Sequence, residues 1–304
     1  MNDRNPLSYY DRETGAIRDE EIYADVFLDW CYNSRSGRFL TDVLFRRRWI
    51  SRVYGASQRT RWSRRRIGPF VRRLNVDVDE IVRPLSEFRD FSEFFVREID
   101  LSHRTIRLEP DVCISPADGR ALAYTRLESD RTFRIKRSSF NLRQMLGDDA
   151  LAGRYEGGSL FITRLYLSDY HHFHFPDSGT PGPARAISGG YHAVSPYARR
   201  SLVPFFTENF RMVSQFDSIS FGLITFVEIG AFTVGSIRQC YEAGQSVERA
   251  TRKGFFELGG STVAMLFEPG RIRFDDDLTT HTRNGIETYV KLGDSIGRRP
   301  GGDV

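Results

Sequence analysis

The sequence predicts an α+β protein in which N-terminal amphipathic helices precede a mainly antiparallel, β-rich core. Two observations carry that prediction. Apolar residues in the first 80 positions recur at helical spacing, whereas from Val112 onward short β-rich runs are divided by turn residues, without the alternating helices of a parallel sheet. The chain is long enough to bury a substantial core, with 304 residues of which 40% are hydrophobic.

Residues 1–18 are polar, with Asp3, Asp11 and Glu13 where a secretory signal would need a basic and then an apolar stretch, so nothing there directs export. Helical periodicity begins over 20–32 (Ile22, Tyr23, Val26, Phe27, Trp30, Cys31) and continues over 39–54. The net charge of +4 conceals an asymmetry. Residues 46–73 hold eleven arginines and no acid, interleaved with Trp49, Trp62, Ile67 and Phe70. Such a segment suits an anionic lipid interface, where each basic residue contributes about 1 kcal/mol. A solvated basic face packed on its own domain and a nucleic-acid surface are the competing readings.

A boundary near residue 80 divides a basic helical region, 1–80, from a second domain, 81–304. Just beyond it, Phe88, Phe91, Phe94 and Phe95 recur at helical spacing, and Asp90 with Glu93 offers a capping box. Strands are expected over 121–127, 133–136, 159–167, 184–187, 219–229, 232–240, 262–267 and 272–274, with one helix over 142–151. The apolar stretch 219–237 contains Glu228 and three glycines, and reads as two buried strands rather than a membrane span. Cys31, Cys113 and Cys240 lack Cys-x-x-Cys spacing, so neither a zinc ribbon nor a disulfide framework is indicated and a reducing compartment is the simplest reading.

Three short motifs carry chemistry. In Gly259-Gly260-Ser261-Thr262-Val263, two glycines leave the Gly260 carbonyl open to the neighbouring hydroxyl, a geometry suited to self-cleavage, although a glycine pair entering a strand also suits a turn or bulge. Asp118 lies in Pro116-Ala117-Asp118-Gly119, where a turn aspartate capping its own backbone is the alternative. His171, His172 and His174 are half of the chain's six histidines. As metal ligands with Asp177 they lack His-Glu-x-x-His spacing, so no metal is expected. As a relay, Asp118 orients His174 and His174 takes the proton of Ser261, because a hydroxyl nucleophile needs a base and the base needs a partner. A Ser-His-Asp hydrolase would use the same types, but Ser261 has no Gly-x-Ser-x-Gly elbow.

Together, Pro116 to Gly119, Tyr170-His171-His172-Phe173-His174 and Gly260-Ser261-Thr262 resemble, in order, the markers of the phosphatidylserine decarboxylase proenzyme family. The Phe-rich stretch from Phe88 to Arg97 resembles the family's entry to its catalytic domain, and Tyr9 to Arg12, the helical arginine segment and the ending Gly293 to Gly297 resemble its clostridial-type subgroup. The resemblance implies that Ser261 attacks the Gly260 carbonyl and that cleavage yields a β chain, 1–260, and an α chain, 261–304. The α chain would begin with a covalent pyruvoyl cofactor derived from Ser261, and the two chains would stay associated. It implies a catalytic domain over 81–304, with Asp118, His174 and Ser261 in processing and His171 returning a proton or orienting the substrate. Phosphatidylserine would become phosphatidylethanolamine and CO2 on the cytoplasmic face of an anionic membrane, with no nucleic-acid partner and with homo-oligomerisation left open. A pyruvoyl decarboxylase of soluble amino acids and an uncleaved lipid-binding relative are the alternatives. Two departures stand out: His172 replaces the family's arginine, and Arg249-Ala250 replaces its Lys-Gly pair.

Overall fold

The computed structural model describes residues 8–20, 58–127, 133–135, 138–190, 205–230, 237–258 and 261–301. Eleven strands position the site. They are β1 (Ser8–Asp11), β2 (Ala16–Asp19), β3 (Gly119–Tyr124), β4 (Ser159–Leu165), β5 (His172–His174), β6 (Arg211–Ser218), β7 (Gly222–Gly230), β8 (Ile237–Gln239), β9 (Arg252–Phe256), β10 (Ser261–Phe267) and β11 (Glu287–Val290). Within the ten-stranded main sheet of the described residues these run in the order β6-β7-β10-β4-β3-β11-β1-β2, antiparallel except where β1 joins β11, and Arg185–Ile187 and Gly179–Pro181 pair with β6. The class is therefore the expected one, α+β and mainly antiparallel.

Alternation along the central strands builds two cores. Leu160, Ile162, Ala264 and Leu266 point to one face and pack on Leu142, Met145, Leu146 and Leu151. These belong to the helices Leu142–Leu146 and Asp149–Arg154, which replace the single expected helix because Gly147, at φ 60°, ends the first. Phe161, Leu165, Val263 and Met265 point to the other face, against Phe173, Phe175, Ile237 and Phe256. Those four ride on or beside a small sheet ordered β8-β9-β5. The apolar run Val263–Phe267 is thus buried on both sides, which explains why it lacks alternation. The stretch read as two strands instead of a membrane span holds β7 and the start of β8. Among the described residues, no helix is long and apolar enough to cross a membrane.

Strands β10 and β11 interleave with the rest of the chain. The first lies between β7 and β4, the second between β3 and β1. A buried ionic network secures this edge: Arg164 binds Glu20 at 2.7 Å and Glu287 at 2.8 Å, and Arg120 binds Asp169 at 2.6 Å. The periodic segments 21–32 and 39–54 lie outside the described residues. Of the basic stretch, the 3-10 turn Arg61–Arg66 and the helix α1 (Ile67–Leu74) are described. Ile67 and Phe70 pack on Phe88 and Phe94, whereas Trp62 is 74% exposed beneath the Arg65 guanidinium. Helix α2 (Phe91–Phe95) begins as expected, with the Asp90 carboxylate accepting from the Glu93 N–H at 2.9 Å; the Glu93 carboxylate reaches Arg89 N–H at 2.7 Å rather than that of Asp90.

Candidate active site

Ser261 opens β10, opposite Leu165 on one side and Gly230 on the other. By alternation its side chain shares the face of Val263 and Met265, the face covered by the small sheet. The residue is fully buried, and among the described residues its Oγ has no hydrogen-bond partner. A buried hydroxyl without a partner is costly, about 1–3 kcal/mol, and such groups concentrate where chemistry needs them. Gly259 and Gly260, the rest of the expected cleavage motif, lie outside the described residues.

The histidines arrive on β5, which pairs with β9, the strand leading toward Ser261. His172 and His174 both lie in this strand, and His171 immediately precedes it. Each ring is fixed by a carbonyl from a different segment. His171 donates from Nδ1 to Asp169 O at 2.9 Å, His172 from Nε2 to Val96 O at 3.1 Å, and His174 from Nδ1 to Ala250 O at 2.8 Å. A carbonyl only accepts, so the protons sit on those nitrogens and the lone pairs on the others. The His171 Nε2 is buried and has no partner among the described residues, and the His174 Nε2 faces the Tyr170 hydroxyl at 3.4 Å. Burial pushes the pKa values down to about 3 for His171 and about 4 for His172 and His174, so all three are neutral at physiological pH.

Asp118 stands just ahead of β3, at the same end of the sheet as Ser261, separated from it by the end of β4. Its carboxylate accepts from Arg104 at 2.8 Å and from the Leu292 N–H at 2.7 Å. Burial raises its pKa, opposed by Arg104 and by the Leu292 N–H. The turn meets the histidine strand through backbone, the His174 N–H donating to Pro116 O at 2.8 Å. A β-carbon on Gly119 would meet Arg164 O at 2.5 Å, so only glycine lets this turn close onto β4. Sequence reasoning assigned neither Tyr170 nor Ala250 a role in the site. Tyr170 is buried, stacks on His172 at 4.5 Å and 5°, and is touched electrostatically by Asp118; its place in the histidine motif was the available signal. Ala250 has φ 63°, a left-handed conformation, at the position where the resemblance leads to the expectation of glycine. Among the described residues, no cluster of three or more histidine, cysteine or acidic side chains could hold a metal ion.

The phosphatidylserine decarboxylase family profile matches residues 91–298, a span that takes in the Asp118 turn, the histidine strand and Ser261. The chain belongs to the phosphatidylserine decarboxylase family. Similarity to whole relatives is as extensive. A phosphatidylserine decarboxylase proenzyme from Chlamydia muridarum is 39% identical over 96% of this chain and 97% of its own length. One from Chlamydia felis is 39% identical over 97% and 99%. One from Clostridium beijerinckii is 35% identical over 96% and 99%, in keeping with the clostridial-type features of the sequence. Within this phosphatidylserine decarboxylase family chain, His172 fills the arginine position by donating to Val96 O and stacking between Tyr170 and Phe255.

Proposed function

We propose that this chain is a self-processing, pyruvoyl-dependent phosphatidylserine decarboxylase that releases CO2 and leaves phosphatidylethanolamine. The observation that carries the reading is the Ser261 hydroxyl, buried and unpartnered at the head of a central strand, on the face covered by the histidine-bearing sheet. That setting fits the precursor of a chain-terminal carbonyl, because it is dry and fixed by strands on both sides. In processing, Ser261 Oγ gives its proton to His174 Nε2 and adds to the Gly260 carbonyl carbon. The C–N bond then breaks as the amine takes a proton back. Elimination from the resulting ester separates residues 1–260 from 261–304, and hydrolysis with loss of ammonia leaves the pyruvoyl group.

Once formed, that group supplies an electron sink for the pair released with CO2. The chain's own residues do the rest. Ala250 O fixes the His174 tautomer, so that Nε2 is the basic nitrogen. Asp118 adds negative charge behind Tyr170 and pins the turn through Leu292. His171, neutral and with Nε2 unpaired, accepts a proton from the substrate and returns it to carbon. Phe95, 4.0 Å from His171 between ring centres, helps to exclude water.

The region 1–80 acts as the membrane-facing part and 81–304 as the catalytic domain, on the cytoplasmic leaflet. Exposed Trp62 beside Arg61, Arg64 and Arg65 supports that placement. An intact-mass spectrum before and after a carbonyl-reactive amine tests the whole reading. Two chains parting at 260/261, the shorter one blocked and gaining the amine's mass, are expected; a single inert chain would overturn it.

A further inference from the structure

Lys253 is a buried charge that the chemistry leaves unused. Its Nζ donates to Glu228 at 2.6 Å and to Gln239 Oε1 at 3.0 Å, and Gln239 Nε2 closes the triangle onto Glu228 at 3.1 Å. Both charged side chains are fully buried. The ammonium lies 4.9 Å from the Phe226 ring, 5.0 Å from Tyr241, 5.5 Å from Phe173 and 6.0 Å from Phe175. The pair joins the two sheets, because Glu228 is opposite Val263 of β10 and Lys253 lies on β9.

The backbone at Lys253 is equally specific. Arg252 pairs with His174 and Gly254 with Phe173, so Lys253 is the extra residue of a bulge. A β-carbon on Gly254 would run into Arg238 O and the Phe173 ring. The three-residue strand has only three pairs with β9, and a slip of one position would turn His172 and His174 onto the face that Phe173 occupies.

We infer that the Lys253–Glu228 pair is the register pin of the histidine strand, a positioning device that decides which way His172 and His174 face relative to Ser261. Apolar side chains of similar volume would hold two sheets together at least as well as a buried ion pair does. What they cannot do is distinguish one register from the next, since a single ammonium in a ring cage has one carboxylate to meet.

The inference rests on His174 as the processing base, and the test keeps the two apart. The double variant Lys253→Met/Glu228→Leu folds with a Tm no lower than the parent, yet cleaves its chain at least about tenfold more slowly. With Ser261→Ala added, its 15N-imidazole spectrum shows more than one set of signals for His172 and His174. A folded double variant that cleaves at the parental rate, with one set of signals, overturns the pin. So does one that fails to fold, because the pair would then bind the sheets rather than select their register. A His174→Ala chain that cleaves normally sinks the base assignment and leaves the imidazole signals to judge the pin.

Discussion

His174 donates from Nδ1 to the Ala250 carbonyl at 2.8 Å, and Ala250 presents that carbonyl from a left-handed backbone, with its own N–H bound to Phe175 O at 2.9 Å. A non-glycine residue pays about 1 kcal/mol for that conformation. Ala250→Gly is therefore expected to leave self-cleavage unchanged and to raise stability by up to about 1 kcal/mol, the relief being partly offset by the freer unfolded chain. Thermal unfolding and a cleavage time course check both halves; slower cleavage would mean that the β-carbon itself positions the carbonyl.

His171 and His174 differ in what their lone pairs face: the first meets no partner among the described residues, the second the Tyr170 hydroxyl. His174→Ala should leave a chain of full mass, whereas His171→Ala should cleave and then turn over substrate at least about a hundredfold more slowly. Mass spectrometry and CO2 release distinguish them. An uncleaved His171 variant would merge the two roles.

Histidines buried in the neutral form make stability depend on pH. Unfolded histidine titrates near ~6.5, above the folded values of about 3 and about 4, so the unfolded chain binds more protons between them. Stability is then full above about pH 6.5 and is lost as pH falls toward about 4. Tm measured across this window should fall on acidification, and His172→Phe should flatten the slope. A slope unchanged by that substitution would assign the dependence to other groups.

Closure of the Asp118 turn depends on the missing side chain at 119. Gly119→Ala would force its β-carbon against Arg164 O and Thr163 Cγ2, with an expected loss of about 3 kcal/mol and no processing. A variant of parental Tm that still cleaves would show that β3 and β4 can part without harm.

Vesicle binding through the arginine-rich segment should weaken as salt rises, because exposed charges are screened within about 10 Å at 0.1 M. Trp62→Ala should weaken binding at every salt concentration. Sedimentation with anionic and neutral vesicles checks both; salt-independent binding would move the contact elsewhere.

Much of the core was legible because its signals are local. The run Val263–Phe267, the β-rich texture after Val112 and the Asp90 cap each follow from adjacent residues. β6 was missed because its sequence, RMVSQFDS, mixes apolar positions with buried Arg211 and Ser214, whose environments come from the fold. β1 and β2 were missed for the same reason: a polar hairpin becomes a sheet edge through Glu287–Val290, far along the chain. At the site, the residue types could be read from motifs. The contacts could not, since Ala250 O on His174 and Arg104 on Asp118 depend on tertiary packing and leave no periodic trace.

The interleaving of β10 and β11 bears on the working life of the molecule. After cleavage at residue 260, the 44-residue C-terminal piece would be hydrogen-bonded on both edges of both strands, so releasing it means opening the main sheet in two places. A carbonyl-bearing chain held in this way cannot be exchanged for a fresh one. Each molecule would thus carry a single, irreplaceable warhead, and a copy whose carbonyl is reduced or trapped by a stray amine could be restored only by new synthesis.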